Sequence, residues 1–413
     1  MSTKKRRNKN LKKKRLLLLI VIIAVLIVIF NIIQNNNHSQ EVSTNSASEN
    51  KVEAKEDTLK TYKAKLIAGG DSLLHGQILK AGYNSATDSY DFSHMLSLVK
   101  DEVSQYDIKY YNQEVIFDDD KPYTGYPTFN APSAWGKNMV DLGFNLVSLA
   151  TNHSMDGGAK SAKKSAAWWE SQENVIATGM ASTEEKSKDH KIMEANGIKY
   201  AMLAYTYGTN GIPVTEDYVV NLFDKEKALA DIKEIRDKVD VLIVAMHWGA
   251  EYNTGITDVQ KEQAKFLGEN GVDIILGNHT HCIEPWEWID DDTIVFYAFG
   301  NFISNQITAE TPIIRELGPF GLLGTLDITK TVDTQNNTSK IKIDNIGAEL
   351  IYTYRYYNNE KGKYDFLVVP FSKMESKYLS TYKSSYDKFS QIVKKFDENI
   401  NIAPLPSNEE ENN

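Results

Sequence analysis

Six of the eight histidines in this 413-residue chain stand close to the ends of apolar runs or in the loops between them, with acids and amides beside them. GGDSLLHG supplies Asp71 and His75, YNQEV supplies Asn112 and Glu114, and ATNHSMDGG supplies Asn152, His153 and Asp156. HWGAEY adds His247, Trp248, Glu251 and Tyr252; GNHTHC adds His279 and His281; FGNF adds Asn301. Singly, each has an ordinary use. An Asp after a strand caps a helix, a His at a strand end hydrogen-bonds to its surroundings, and an Asn-His pair is turn chemistry. Together, carboxylate, amide oxygen and neutral imidazole suit a divalent metal, Mn, Fe or Zn, with no thiolate required. A carboxylate shared between two ions, with imidazoles completing each shell, makes a two-metal site that activates water and clamps the charge developing in an in-line displacement. The single Cys282 excludes an intramolecular disulfide and is expected as a small buried residue.

Such a set works only if elements far apart in sequence bring it together. The runs 63–70, 144–150, 199–207, 239–249, 272–281 and 293–302 read as buried strands. Helical patterns fall at 92–104, 132–142, 159–172, 224–238 and 257–270. The last of these has Val259, Ala264, Phe266 and Leu267 as apolar positions and Gly271 as its stop. Alternating strands and helices predict an α/β fold, a sheet with helices on both faces, and ligands bind beyond the carboxyl ends of strands in such sheets. The main domain is expected over 61–320, followed by a β-rich extension with a C-terminal helix over 321–400 and a disordered tail, 401–413. Trp248, Tyr252, Trp286, Trp288 and Tyr297 either pack the core and rim or form a platform for an extended polymer.

The N-terminus is unlike the rest. Residues 1–15 hold nine Lys or Arg and no acid, so the remainder carries about −19 once these are taken from the formal −10. An acidic body argues against nucleic acid as a partner. Leu16 to Ile33 is apolar except for Asn31. That length is at the short end of what spans ~30 Å of hydrocarbon, and no small-residue cleavage site follows it. The expectation is a transmembrane anchor at 16–33 with 1–15 cytoplasmic. A disordered linker would cover 34–60, with the rest of the chain outside the cell.

Six ordered motifs, GGDSLLH, YNQE, ATNHSMDGG, HWGAEY, GNHTHCIEP and FGNF, resemble those of the poly-γ-glutamate capsule-biosynthesis family (CapA/PgsA). The resemblance covers about residues 63–310 and implies a layered sheet with flanking helices like that of the calcineurin-like metallophosphoesterases. It implies Asp71 at a first ion, Glu114 as the bridging carboxylate, Asn152 and His247 at a second ion, and one imidazole of His279 and His281 for each. His153 then resembles the histidine that protonates a leaving group, with Asp156 beside it, and His75 stands in for the first-strand histidine. Asn112, Trp248, Glu251, Tyr252 and Asn301 are the candidates for contact with substrate. Two departures stand out: the first motif is Asp71-x-x-x-His75 rather than Asp-x-His, and NQE replaces the Gly-Asp-x-x-Asp-Arg motif of ordinary phosphoesterases. The expected function is synthesis, export or retention of a poly-γ-glutamate-like anionic polymer at the cell surface, beside membrane-bound synthase subunits. A metal-dependent hydrolase of phosphoester or amide bonds is the alternative.

Overall fold

The computed structural model describes residues 58–407. The basic segment, the apolar run 16–33 and the expected linker up to residue 57 lie outside them, as do the last residues of the tail. Among the described residues no helix is long and apolar enough to cross a membrane.

Along the chain the principal strands are β1 (Leu59–Ser72), β2 (Ile108–Asn112), β3 (Leu146–Ser148), β4 (Ile176–Thr178), β5 (Met193–Ala195), β6 (Ile198–Thr206), β7 (Val241–His247) and β8 (Ile274–Asn278). They continue with β9 (Trp286–Trp288), β10 (Ile294–Phe296), β11 (Asn301–Ile303), β12 (Phe320–Asp333), β13 (Thr338–Asn358), β14 (Lys363–Pro370) and β15 (Asn401–Ile402). The principal helices are α1 (Gly76–Gly82), α2 (Ala134–Leu142), α3 (Gly158–Glu170), α4 (Lys225–Ile235), α5 (Asp258–Glu269) and α6 (Tyr382–Val393).

These strands form two sheets rather than the single sheet expected. The first has the order β14-β13-β12-β1-β2-β3-β4, with β11 also on β1 and β15 on β13; the second runs β9-β10-β8-β7-β6-β5. Strand parity shows how they stack. Leu66, Ala68, Tyr110 and Leu146 of the first sheet share one core with Tyr200, Met202, Ala204, Ile243, Ala245 and Leu276 of the second. The intervening Ile67, Tyr111 and Val147 pack on Trp135, Met139, Ala162 and Trp169 of α2 and α3. Leu203, Leu242, Val244 and Met246 pack on Ala228, Ile232, Ala264 and Leu267 of α4 and α5. The molecule is therefore a helix-sheet-sheet-helix sandwich, each sheet carrying helices on its outer face. Strands buried on both faces are apolar throughout, so a sheet layer and a helix layer leave the same trace in sequence.

Three further expectations change. The run 293–302 divides into β10 in the second sheet and β11 in the first, breaking where Gly300 takes φ +67°. The helix expected over 92–104 is a 3-10 turn at Ser93–Leu96 and a short helix at Lys100–Ser104. Asn401–Ile402 pair with Gly347–Ala348, so ordered chain reaches past residue 400. The segment after residue 320 supplies β12, which lies antiparallel to β1 from Leu59↔Asp333 to Ala68↔Gly324.

Candidate metal centre

The polar residues gather where parallel strands of both sheets end. In the first sheet a bulge sets the geometry. Ala68 pairs with Tyr110 and Asp71 with Asn112, so three steps along β1 match two along β2. The extra residue reverses the side-chain alternation. Without it Asp71 would face the helices with Ile67; with it Asp71 joins Asn112 between the sheets. Glycine makes this possible, because a Cβ at Gly70 would lie 1.8 Å from the Gly300 carbonyl oxygen. Asn112 then donates to Asp71 Oδ1 at 2.8 Å. Just beyond β2, Glu114 is held through its carbonyl, which accepts from Thr151 Oγ1 at 2.8 Å. The same hydroxyl accepts from the His153 amide at 3.1 Å, tying the Asn152-His153 turn to Glu114.

The second sheet contributes histidines. His247 ends β7 with the intersheet parity of Ile243 and Ala245. After β8 the chain turns through His279 and His281 at φ +99° and +54°, with Tyr252 on the adjoining loop at +56°. Non-glycine residues in this region cost on the order of 1–3 kcal/mol each and concentrate at functional sites. Asp71 Oδ2 accepts from the His279 amide at 3.2 Å.

Asp71, Glu114 and His281, all buried, place one potential ligand atom each within 4.8 Å of one another. His281 Nδ1 lies 3.1 Å from Asn301 Oδ1 and 3.2 Å from Asp71 Oδ2, which leaves Nε2 facing Glu114 Oε1 at 3.6 Å. On its other side the same Glu114 oxygen is 3.9 Å from His247 Nε2. His247 Nε2 is hydrogen-bonded to Asn152 Oδ1 at 2.9 Å, and its ring lies 4.8 Å from that of His279. His247, Asn152 and His279 thus adjoin the Asp71, Glu114 and His281 group on the Glu114 side. Both Glu114 oxygens, Asn112 Oδ1 and His279 Nδ1 are buried with no hydrogen-bond partner. A buried carboxylate without a partner is costly, and a divalent cation would satisfy it; the donor set fits one.

Electrostatics follow the crowding. Burial, then Asp71, hold the Glu114 carboxyl well above its ordinary range. Burial and the neighbouring imidazoles push His247 well down, and His279 down to about 3. Burial opposes charge on His281, but Glu114 and Asp71 overrule it and raise its pKa to about 9.

Beside the ligands, His153 Nδ1 bonds Asp156 Oδ2 at 2.7 Å, and that oxygen also accepts from the Phe129 amide at 2.6 Å. The Phe129 ring meets His153 edge-on at 4.8 Å and His75 at 5.5 Å. His75 Nδ1 lies 3.2 Å from both the Leu73 carbonyl and the Asn305 amide, and burial pushes its pKa down to about 4.

Among the substrate candidates, Glu251 and Tyr252 lie near the mouth, and Tyr252 donates its amide to the Thr280 carbonyl at 2.7 Å. Trp248 is not there. It follows His247 by one residue, so it faces α5; it is 2% exposed and donates to the Tyr297 carbonyl at 2.9 Å. Asn301 and Asn112 are buried and engaged with His281 and Asp71, so they position those side chains rather than face the opening. Trp286 and Tyr297 are core residues. Tyr207 and Thr151 escaped the sequence reading, although Tyr207 directly follows an apolar run, as the histidines do.

A buried group of Asp71, Glu114 and His281 that could hold a cation lies between the two stacked sheets of a layered α/β protein. Residues 65–306 match the family model of the bacterial capsule synthesis protein PGA_cap, and the chain belongs to that family. It is 30% identical over 173 residues to the PGA biosynthesis protein CapA of Bacillus subtilis (strain 168), covering 41% of this chain and 45% of that one. It is 28% identical over 250 residues to the capsule biosynthesis protein CapA of Bacillus anthracis, covering 57% and 59%. The chain thus spans about half the length of the curated relatives it matches. Solved structures similar to it include a phosphatase of Mycoplasma pneumoniae, with TM-score 0.38, 14% identity, and coverage of 70% of this chain and 95% of that one. Another is a putative 5'-nucleotidase of Staphylococcus aureus, with TM-score 0.39, 13% identity, and coverage of 78% and 58%.

Proposed function

We propose that this chain acts on an anionic, poly-γ-glutamate-type capsule polymer through a divalent metal centre, outside the membrane to which its run 16–33 anchors it. The observation that carries the reading is Glu114, a buried carboxylate with no hydrogen-bond partner between His247 and His281. Family membership supplies the capsule context. Asp71, Glu114 and His281 would hold one ion, and Glu114, Asn152, His247 and His279 a second; Mn, Fe or Zn suits these donors. Once bound, the ions supply Lewis acidity and the local positive charge that an acidic chain otherwise lacks where it meets a polyanion. Membrane-bound synthase subunits are the proposed protein partners.

A hydrolytic role, on a phosphoester or on the polymer's amide bonds, is favoured by one specific feature. His153 keeps its Nδ1 proton on Asp156 and has Nε2 left over for proton transfer beside the ligands. A centre used only to stabilise the fold needs no such pair. His75, neutral at physiological pH, is suited to hydrogen bonding rather than to delivering a proton from an imidazolium.

The test is elemental analysis of the full chain purified in detergent, as wild type and as Asp71→Ala and His279→Ala. Near-stoichiometric metal lost in both variants supports the centre and directs cleavage assays at polyglutamate and phosphoesters. A folded wild type that takes up none of the three metals refutes it.

A further inference from the structure

Around the mouth of the centre stand tyrosines that no ligand role uses. Tyr207 is 54% exposed, yet its ring lies 4.6 Å from that of His279 and nearly parallel to that of His247 at 6.5 Å. The Asn152 side chain stands close enough to act on its phenol. Tyr252, 5.7 Å from the His281 ring, accepts at its phenol from Gln306 Nε2 at 2.8 Å. At Tyr252 the Gln306 amide occupies the phenol oxygen as acceptor, so the hydroxyl proton is free to donate elsewhere. Tyr126, 76% exposed, packs on Phe129, and its phenol is close enough to act electrostatically on that of Tyr252. Contacts thus run around the opening from Tyr207 through Asn152, His153 and Phe129 to Tyr126 and Tyr252.

The charges near this ring are of one sign. Glu251 and Glu114 act on the phenols of Tyr207 and Tyr252, and Asp71, Glu251 and Asp156 act on Glu114. A lysine set here would pair with Glu251. A phenol donates while uncharged, so the neighbouring carboxylates do not neutralise it.

Building on the polymer reading above, we propose that Tyr126, Tyr207 and Tyr252 form a chain-binding rim. Their hydroxyls donate to the carboxylates and amide carbonyls of an extended polyacid, on units flanking the one that lies over the centre. Neutral donors replace the basic groove that a polyanion would ordinarily require.

The test is fluorescence anisotropy with a labelled poly-γ-glutamate oligomer of about ten units, on the metal-loaded full chain, with metal content checked in each variant. Tyr207→Phe, Tyr126→Phe and Tyr252→Phe should each weaken binding by about 5- to 10-fold, the loss of one hydrogen bond. Competition by free glutamate, which reaches only the centre, should stay unchanged. If the Phe variants bind like wild type while the Ala variants fail, the rings grip by stacking, as they would a nucleobase, and the rim proposal is overturned. A wild type that holds metal but ignores the oligomer overturns the polymer reading itself.

Discussion

Glu114→Gln separates a cation site from a polar knot that merely looks like one. The substitution keeps the shape of the side chain and removes the charge both ligand sets share. In wild type, metal at 100 times its Kd should add about 2.7 kcal/mol of stability. Domains larger than about 150 residues move their Tm by roughly 2 °C per kcal/mol, at the low end of the observed range. Differential scanning fluorimetry in EDTA and then in excess Mn should therefore show a rise of about 5 °C. Because the carboxylate faces both His281 and His247, at 3.6 and 3.9 Å, its loss weakens both sets, and the rise should fall below about 1 °C. Metal-free, the variant should melt at or above wild type. Burial and Asp71 both oppose the Glu114 charge, and His281 keeps Asp71 as its partner. An undiminished metal shift in the variant, or a metal-free variant that melts well below wild type, would refute the reasoning.

Other perturbations probe the frame and the charges. Gly70→Ala drives a Cβ into the Gly300 carbonyl 1.8 Å away, so it should cost about 3 kcal/mol in urea unfolding and lower metal affinity through Asp71; normal stability would mean that the bulge is not needed. Trp248→Phe loses the bond to the Tyr297 carbonyl and some packing, about 1–2 kcal/mol, and metal binding should be unaffected if the residue belongs to the core. Burial raises Glu349 from 4.5 to about 7. Between these values the folded chain keeps a proton that the unfolded chain releases, so stability falls as pH rises through that window and then levels off. Glu349→Gln should flatten a component on the order of 3 kcal/mol between pH 4.5 and 8, read as the difference in urea midpoints from wild type; parallel curves would show that burial does not set this titration.

The gathering of Asp71, Glu114 and His281 was readable because such residues follow strands, and strand ends are where a layered sheet collects polar groups. Alternation carried more information than a motif can. Counting back from His247 through Ala245 and Ile243 assigns Trp248 to the opposite face, and on that basis the tryptophan could have been excluded from the site. The bulge at Gly69-Gly70 was not readable, because two glycines after an apolar run also mark an ordinary turn. Nor was the second sheet: β8 presents Ile274 and Leu276 to one layer and Ile275 to another, and all three are equally apolar. Tyr207 was overlooked because an aromatic at a strand end usually packs. Its exposure, rather than its type, marks it.

The pairing of β1 with β12 has a consequence for the order of events during synthesis. The strand that carries Asp71 finds its antiparallel neighbour 274 residues later at Leu59↔Asp333 and 256 residues later at Ala68↔Gly324. Until Phe320–Asp333 has left the ribosome, one long edge of β1 has no partner, and an open edge invites pairing with other chains. His247 at the end of β7 and His279 and His281 just after β8 also arrive late, so the residues proposed to hold a cation cannot assemble on a nascent fragment. Such long-range closure makes folding slow. A chain released before residue 333 would therefore be a template for aggregation rather than a smaller working domain.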